Sequence, residues 1–300
     1  MSDQQELPNK DQLFRFLFEQ TNIRGELVHL DDSWQAVLLR YDYPAPVRDL
    51  LGQTMAAAAL LASTLKRNSN LIIQIQGTGP ISLLVVQVDN RSRLRGMAEW
   101  EGDLSAGTLG DLFGKGHLAI TIDPRDGNER YQSIIDLGTE TLSQALDNYF
   151  KQSEQLNTRL WLSANEFCAA GLLLQELPEN NNIPFQDDDT WNRVTQLSDT
   201  ITAKELHQLS VMTILKRLYH EEDVRVFEPE QLFFHCSCSR ENISNTLRGL
   251  GREEIQSILE DEGQVKVECH FCKKSYLYDR VDSEALFASD TTHSLINTKH

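Results

Sequence analysis

The 300-residue sequence has no long uncharged apolar run, and its first twenty residues are polar. A membrane-spanning helix needs about 20 consecutive apolar residues, and a secretory signal needs an apolar segment after a basic start. We therefore expect a cytoplasmic protein that does not enter a membrane. Basic residues are also scarce: 28 Lys and Arg face 45 Asp and Glu, for a formal charge of −17. This balance disfavours a nucleic-acid partner, because such binding depends on cations that neutralise phosphates.

Cysteine is rare as well, with five in the whole chain. In a reducing compartment, so few cysteines indicate metal ligands or redox groups rather than a disulfide framework. Four of them cluster near the C-terminus. The fifth, Cys168, is isolated in the apolar stretch EFCAAGLLLQ, and we interpret it as a small buried hydrophobic residue.

The first part of the chain alternates strand-like segments with helices. The predicted strands between residues 23 and 100, which we expect in one antiparallel or mixed sheet, are IRGELVHL, WQAVLL, LIIQIQG, PISLLVVQV and LRGMAEW. The Ala-rich segment PAPVRDLLGQTMAAAALLASTLK is predicted to be a helix that packs on this sheet. Further predicted elements are the strands HLAITID, YQSIIDL, TRLWLSA and GLLLQELP and the helix TLSQALDNYFKQSEQ. The fold class is therefore α+β, with a β-rich N-terminal domain over residues 1–178.

A linker and helical connector is predicted over residues 179–230. Pro, Asn and Asp crowd together in PENNNIPFQDDDT at 178–190, which is typical of a linker or exposed loop. Residues 190–220 have a helical pattern that places five apolar side chains near one face: Leu206, Leu209, Ile214, Leu215 and Leu218. Two interpretations stay open, a packed helix of an ordinary domain and a helical connector that docks conditionally.

Residues 231–300 form the third predicted unit, which is small and contains the clustered cysteines. A strand in QLFFHCSC ends at the first pair, two short helices follow around Gly249 and Gly251, and QVKVECHFCKKSYLYD forms a hairpin with the second pair at its turn. A unit of this size often requires a metal for stability.

The four clustered cysteines predict one structural zinc site. Cys236 and Cys238 are separated by thirty residues from Cys269 and Cys272, so the intervening helices must fold back to bring two chelating pairs together. Structural zinc sites are built in this way. Four thiolates complete a tetrahedral shell and leave no open position for water or substrate, which argues against a catalytic metal.

Two histidines adjoin the pairs and are weaker candidates for the same shell. His235 and His270 could replace a thiolate, because imidazole also binds zinc. Each cysteine pair could also close a local disulfide. The Cys-x-x-Cys spacing reaches disulfide geometry more easily than Cys-x-Cys, so the second pair is expected to oxidise more readily.

Together with the two cysteine pairs, three segments make the sequence resemble the heat shock protein 33 family of redox-regulated bacterial holdase chaperones. They are FGKGHLAITID at 113–123, SEQLNTRLWL at 153–162 and AAGLLLQELP at 169–178. The resemblance extends over nearly the whole chain. It implies a β-rich N-terminal domain, a helical linker and a C-terminal zinc domain that acts as a redox switch.

The resemblance also implies an activity and its regulation. The reduced form would hold one Zn²⁺ on four thiolates and be inactive. Cys236–Cys238 and Cys269–Cys272 disulfides would then release the metal, unfold the zinc domain and linker, and activate the chain. The active form would bind unfolding client proteins without ATP, and the family suggests a homodimer.

Two other classes of protein stay open on the residues alone. One is a static zinc ribbon that recruits a protein or RNA partner, and the other is a thiol-disulfide oxidoreductase that uses Cys269 and Cys272. The GKG at 114–116 lacks the longer Walker A pattern, and the first domain has no convincing Ser-His-Asp or paired-carboxylate motif. We therefore expect a protein that is not an enzyme.

Overall fold

The computed structural model describes residues 10–65, 69–124, 129–138, 141–178 and 189–288. Within these residues the strands are β1 (Gln12–Phe18), β2 (Ile23–Leu30), β3 (Ser69–Gly77), β4 (Ile81–Val88), β5 (Arg93–Trp100), β6 (Gly116–Pro124), β7 (Tyr131–Asp136), β8 (Thr158–Ala164), β9 (Ala169–Glu176), β10 (Val224–Val226), β11 (Glu230–Gln231), β12 (Phe233–Phe234), β13 (Val265–Glu268) and β14 (Ser275–Tyr278). The helices are α1 (Asp32–Leu38), α2 (Ala45–Thr64), α3 (Leu109–Phe113), α4 (Leu142–Tyr149), α5 (Thr190–Ser198), α6 (Ala203–Gln208), α7 (Val211–Tyr219), α8 (Arg240–Leu250), α9 (Arg252–Glu262) and α10 (Arg280–Ala288), and a π-helical turn (Phe150–Glu154) continues α4. The predicted α+β class is confirmed.

The chain divides into two compact units, one ending at His235 and the other beginning at Cys236. The described residues of the first unit form two six-stranded sheets, whereas the sequence predicts a single sheet for the strands between residues 23 and 100. One sheet has the order β10-β1-β2-β9-β8, with β11 also pairing with β1, and the other has the order β12-β5-β4-β3-β6-β7. Alternation along a strand identifies its buried face, but it does not say which strands share a sheet.

Helix α2 contacts strands of both sheets and is buried over most of its length. Its run of alanines from Ala56 to Ala59 allows strands to approach on several sides, because a methyl group occupies little space. A helix that is apolar on most faces must be buried in this way. The predicted packing of this helix is therefore confirmed, with a second sheet on another face.

The segment WQAVLL was predicted to be a strand, and this prediction is wrong: it forms most of α1. Trp34 and Val37, three residues apart, are both buried, which is the spacing of one helical face. The indole N–H of Trp34 donates to the backbone oxygen of Asn165 at 2.8 Å. This contact comes from a residue 131 positions later in the chain, so no local pattern could reveal it.

Residues 190–219 form three helices rather than one continuous helix. Thr202 caps α6 by a reciprocal pair of bonds with Glu205, and Ser210 caps α7. Leu209, between them, has extended backbone and ends α6. The predicted apolar face is nonetheless present, since Leu206, Ile214, Leu215 and Leu218 are buried and Leu209 is partly buried. The predicted linker residues 179–188 lie outside the described residues.

These three helices pack against the first sheet through apolar side chains. The shared cluster includes Phe16 and Phe18 of β1, Leu172 of β9 and Tyr219 of α7. The ring centroids of Phe18 and Tyr219 lie 4.9 Å apart in an edge-to-face arrangement, which is favourable for aromatic pairs. The buried Tyr219 hydroxyl is 2.5 Å from Ser198 Oγ on α5. The helices therefore cover a large apolar face of the sheet.

The second unit is small and has a modest core. Helices α8, α9 and α10 surround the β13–β14 hairpin, and α10 was not predicted from the sequence. In the described part of this unit the buried cluster consists of Leu247, Ile255, Leu259, Val265, Tyr276, Tyr278, Leu286 and Phe287. Among the described residues of the whole chain, every helix is too short or too polar to cross a bilayer.

Candidate metal centre

The first cysteine pair lies in an extended segment between β12 and α8. Cys236 follows directly after His235, whose backbone N–H donates to the oxygen of Leu94 at 3.0 Å. After Cys238, the side chain of Ser239 accepts the N–H of Asn242 at 3.1 Å and caps α8. The pair therefore stands between a strand end and a capped helix start.

The second pair lies at the turn of the β13–β14 hairpin. The N–H of Cys269 donates to the oxygen of Lys274 at 3.0 Å, and the N–H of Lys273 donates to the oxygen of Cys269 at 2.8 Å. Lys273 has a φ of 60°, in the left-handed region that tight turns use. These bonds close the turn around Cys272 and direct both thiols to the same side.

The four sulfur atoms of the clustered cysteines all lie within 4.8 Å of one another. Cys236 Sγ is 3.6 Å from Cys269 Sγ, and Cys238 Sγ is 3.3 Å from Cys272 Sγ. Zinc–sulfur bonds of about 2.3 Å in a tetrahedron place sulfurs about 3.8 Å apart. The two pairs thus interleave at a spacing close to that of a tetrahedral thiolate shell, and the donor set fits a single zinc ion.

The electrostatics of the cluster favour a cation. Burial raises the pKa of Cys269, and burial together with hydrogen bonds from the sulfurs of Cys238 and Cys236 raises the pKa of Cys272 to about 12. The thiols of Cys269 and Cys272 therefore resist ionisation when no cation is close. A divalent metal reverses this preference, because it stabilises each thiolate directly.

The two alternative histidine ligands stand outside this cluster. Among the described residues the sulfur cluster contains no imidazole nitrogen, and both His235 and His270 are exposed. Four thiols are present without them. Neither histidine is needed to complete the shell.

Tyr276 is a residue of this centre that sequence reasoning missed. Its hydroxyl donates to Cys238 Sγ at 3.3 Å, and it is buried in the small core of the second unit. Such a bond orients the sulfur and reduces its charge. The hairpin register offers a signal, since Tyr276 pairs with Val267, two positions before Cys269.

The segment GKG at 114–116 has no phosphate-binding geometry. It connects the end of α3 to the start of β6, whereas a phosphate loop leads from a strand into a helix. Gly114 has a φ of 62°, and a Cβ added there would stand 3.0 Å from the backbone nitrogen of Gly79. The glycine is therefore required by a close approach of two loops.

Comparisons with known proteins agree with this arrangement. A family model described as Hsp33 protein matches residues 11–279. A 33 kDa chaperonin from Nitrosococcus oceani is 47% identical and aligns over 97% of this chain and 99% of its own length. One from Methylobacillus flagellatus is 44% identical, with 93% of this chain and 95% of its own length covered.

A solved structure supports the fold. The crystal structure of the 33 kDa chaperonin (heat shock protein 33 homolog) from Thermotoga maritima superposes with a TM-score of 0.81. It covers 94% of this chain and 99% of the other at 19% sequence identity. At this identity the similarity supports the fold alone.

Proposed function

Because the chain belongs to the Hsp33 family of chaperones, we propose that it is a redox-regulated holdase, which binds unfolding proteins without ATP. The convergence of four thiols from two distant pairs carries this proposal. The reduced form holds one zinc on Cys236, Cys238, Cys269 and Cys272. Oxidation of these thiols converts the inactive form to the active one.

The proposed switch depends on the small core of the second unit. A structural zinc contributes about 10–16 kcal/mol of apparent binding free energy, which in small domains is folding free energy. A core of this size contributes little beyond that. Removal of two thiolates from the shell therefore unfolds this unit, which begins at Cys236.

The proposed client surface is the apolar face shared by β1, β9 and helices α5 to α7. In the inactive form the helices cover it, with Leu215, Leu218 and Tyr219 buried against the sheet. Burying such a side chain contributes about 1.5–3 kcal/mol, so the helices do not leave the sheet spontaneously. Heat weakens this docking after oxidation has unfolded the unit that follows it in the chain, which explains why both stresses would be required.

The proposed oxidation proceeds in two steps. Peroxide oxidises one thiolate of the second pair to a sulfenic acid and releases hydroxide, and the partner thiolate then displaces the sulfenic hydroxyl as a second hydroxide to give Cys269–Cys272. Both hydroxides are protonated to water. Cys236–Cys238 closes later, when the backbone can bend. The sulfur contacts between the pairs, Cys236 with Cys269 at 3.6 Å and Cys238 with Cys272 at 3.3 Å, offer competing disulfides. Mass spectrometry of trapped thiols would test the order: early Cys236–Cys238 or a bond between the pairs would contradict it.

The proposal divides the chain into three functional parts: a chaperone core at 1–178, a connector at 179–230 and a redox switch at 231–300. The active form is proposed to be a homodimer. We place the protein in the cytoplasm, where reduced thiols are maintained, and assign it no enzymatic activity and neither nucleic acid nor membrane as a partner. The net charge of −17 supports the absence of nucleic-acid binding.

The decisive experiment measures bound zinc and suppression of client aggregation in the same samples. Reduced protein should contain zinc and suppress client aggregation poorly. Treatment with peroxide at elevated temperature should release the zinc and produce strong suppression of client aggregation. The double variant Cys269→Ser/Cys272→Ser removes two ligands of the four-cysteine centre, and Cys168→Ser removes the cysteine outside it. Comparing the two shows whether the redox response depends on the four-cysteine centre. Equal suppression before and after oxidation would reject the redox switch and leave a static zinc module.

A further inference from the structure

A second cluster of metal-binding side chains lies in the first unit. The ligand atoms of His29, Asp31 and Cys168 all lie within 4.8 Å of one another. His29 and Cys168 are buried, and the Asp31 side chain is 21% exposed. His29 and Asp31 come from the end of β2 and the residue that precedes α1, and Cys168 comes from the turn between β8 and β9. None of them belongs to the four-cysteine centre.

The tautomer of His29 leaves a lone pair directed into this cluster. His29 Nε2 is 3.2 Å from the backbone oxygen of His207. A carbonyl oxygen only accepts, so Nε2 carries the proton and donates. In the neutral ring Nδ1 then has a lone pair, and this buried atom has no hydrogen-bond partner among the described residues. Metal-binding histidines are held in the same way, with the other ring nitrogen bonded to a carbonyl or carboxylate.

Asp31 is free to act as a ligand because another residue performs its capping role. It occupies the N-cap position of α1, yet its side chain makes no capping bond. Asp11 Oδ1 accepts the N–H of Asp31 at 3.0 Å, and both Asp11 carboxylate oxygens accept the N–H of Ser33. The Asp31 carboxylate is directed toward His29 instead, with Oδ2 3.6 Å from Nδ1.

Cys168 is positioned by the turn that contains it. The side-chain oxygen of Asn165 accepts the N–H groups of Phe167 and Cys168 at 2.8 and 3.0 Å. The Cys168 thiol is buried, and its sulfur lies within 4.8 Å of the ligand atoms of His29 and Asp31. A bound cation would displace the thiol proton, as metals do at other cysteine ligands.

We propose that His29 Nδ1, Asp31 Oδ2 and Cys168 Sγ form a second binding site for a zinc-class divalent cation. Tetrahedral zinc bonds of about 2.0–2.1 Å to nitrogen and oxygen place those atoms about 3.3–3.4 Å apart, close to the observed separation. One thiolate and one carboxylate neutralise a dication, so the buried assembly carries no net charge. The fourth position is left for water. With three protein ligands, this site fills after the four-thiolate centre.

The test is a titration with Co²⁺ of the reduced full-length protein loaded with one equivalent of zinc, which fills the four-cysteine centre first, followed by the thiolate-to-cobalt charge-transfer absorption. One further equivalent of cobalt should bind and produce the band. Cys168→Ala should abolish both, Asp31→Asn should weaken binding, and the neighbouring exposed Asp32→Asn should match the wild type. Added metal should also raise the melting temperature of the wild type but not of Cys168→Ala.

Two outcomes would overturn this site: no cobalt bound beyond the four-cysteine centre, or a band that survives in a folded Cys168→Ala variant. A band that survives there and disappears on replacing Cys269 and Cys272 would report the four-cysteine centre instead. Failure of this proposal therefore remains separate from failure of the redox switch, which is measured by the zinc released on oxidation and by suppression of client aggregation.

Discussion

The two compact units differ in what stabilises them. The first buries α2 between two sheets, and its core extends through Leu51, Met55 and Leu60 into both. The second buries a few side chains around a hairpin and brings four thiols together. Oxidants do not change the stability that comes from a large apolar core. A fold that depends on a metal loses its main stabilising contribution when the metal ligands are oxidised. Under the proposed function, this difference would confine redox sensitivity to the second unit.

The largest expected effect is the unfolding of the second unit alone when its zinc ligands are replaced. A structural zinc contributes about 10–16 kcal/mol of apparent folding free energy. The double variant Cys269→Ser/Cys272→Ser should lose most of this contribution, because it lacks two of the four ligands. Hydrogen exchange followed by mass spectrometry should show rapid exchange over residues 240–262 and continued protection of α2. Cys168→Ser serves as the control. Protection of α8 and α9 in the double variant would show that the unit folds without metal.

A smaller effect concerns the helices that cover the first sheet. Tyr219→Ala removes a buried aromatic ring and its contact with Ser198, and replacing a large buried aromatic by Ala costs about 3–5 kcal/mol. We expect faster exchange in α5 to α7 and aggregation suppression by the reduced protein, with zinc retained. Met212→Ala, exposed on the same helix, is the matched control. An inactive reduced Tyr219→Ala with loosened helices would exclude this face as the client surface.

A third effect is confined to the first unit and depends on pH. Burial raises the pKa of Glu26 from 4.5 to about 7, and Ser63 donates a hydrogen bond to its carboxylate. The folded state therefore binds a proton more tightly than the unfolded state, so stability falls as pH rises from about 4.5 to 7 and is level above that. The shift corresponds to about 3 kcal/mol.

Glu26→Gln should remove this loss, so that its stability advantage over the wild type grows between pH 5 and pH 8. Chemical denaturation of the first unit at both pH values measures the effect. The exposed Glu101→Gln is the control. An advantage of Glu26→Gln that is the same at both pH values would contradict the assigned pKa.

The smallest effect should come from the fifth cysteine. Cys168→Ser places a hydroxyl in a buried position, which costs about 1–3 kcal/mol if it stays unpaired. Zinc in the four-cysteine centre and activation by peroxide should be unchanged, because Cys168 belongs to the first unit. Zinc analysis and aggregation assays check this. Loss of redox control in Cys168→Ser would show that the switch uses a fifth thiol.

Much of the fold was predictable where one segment carries its own pattern. The Ala-rich α2, the strands β3 to β6 and the β13–β14 hairpin have apolar spacing and bounding turn residues that predict them locally. The sequence predicts a strand where α1 forms, because a short apolar run such as WQAVLL fits either element, and the helical spacing of buried Trp34 and Val37 is known only from the structure. The prediction of a single sheet was also wrong, because strand pairing depends on residues that are far apart in the sequence.

The sequence by itself predicts the four-cysteine centre, because two short cysteine pairs with metal-ligand spacing in a small unit are typical of a structural zinc site. The family resemblance, now confirmed, also rests on contiguous motifs. Only the tertiary structure decided that helices α5 to α7 cover an apolar sheet face, and that Cys168 lies beside His29 and Asp31. Those residues are brought together by the pairing of β2 with β9, over more than a hundred intervening positions. The spacing of residues within one turn indicates that they can bind the same metal. It carries no information on which distant strands pair in the folded protein.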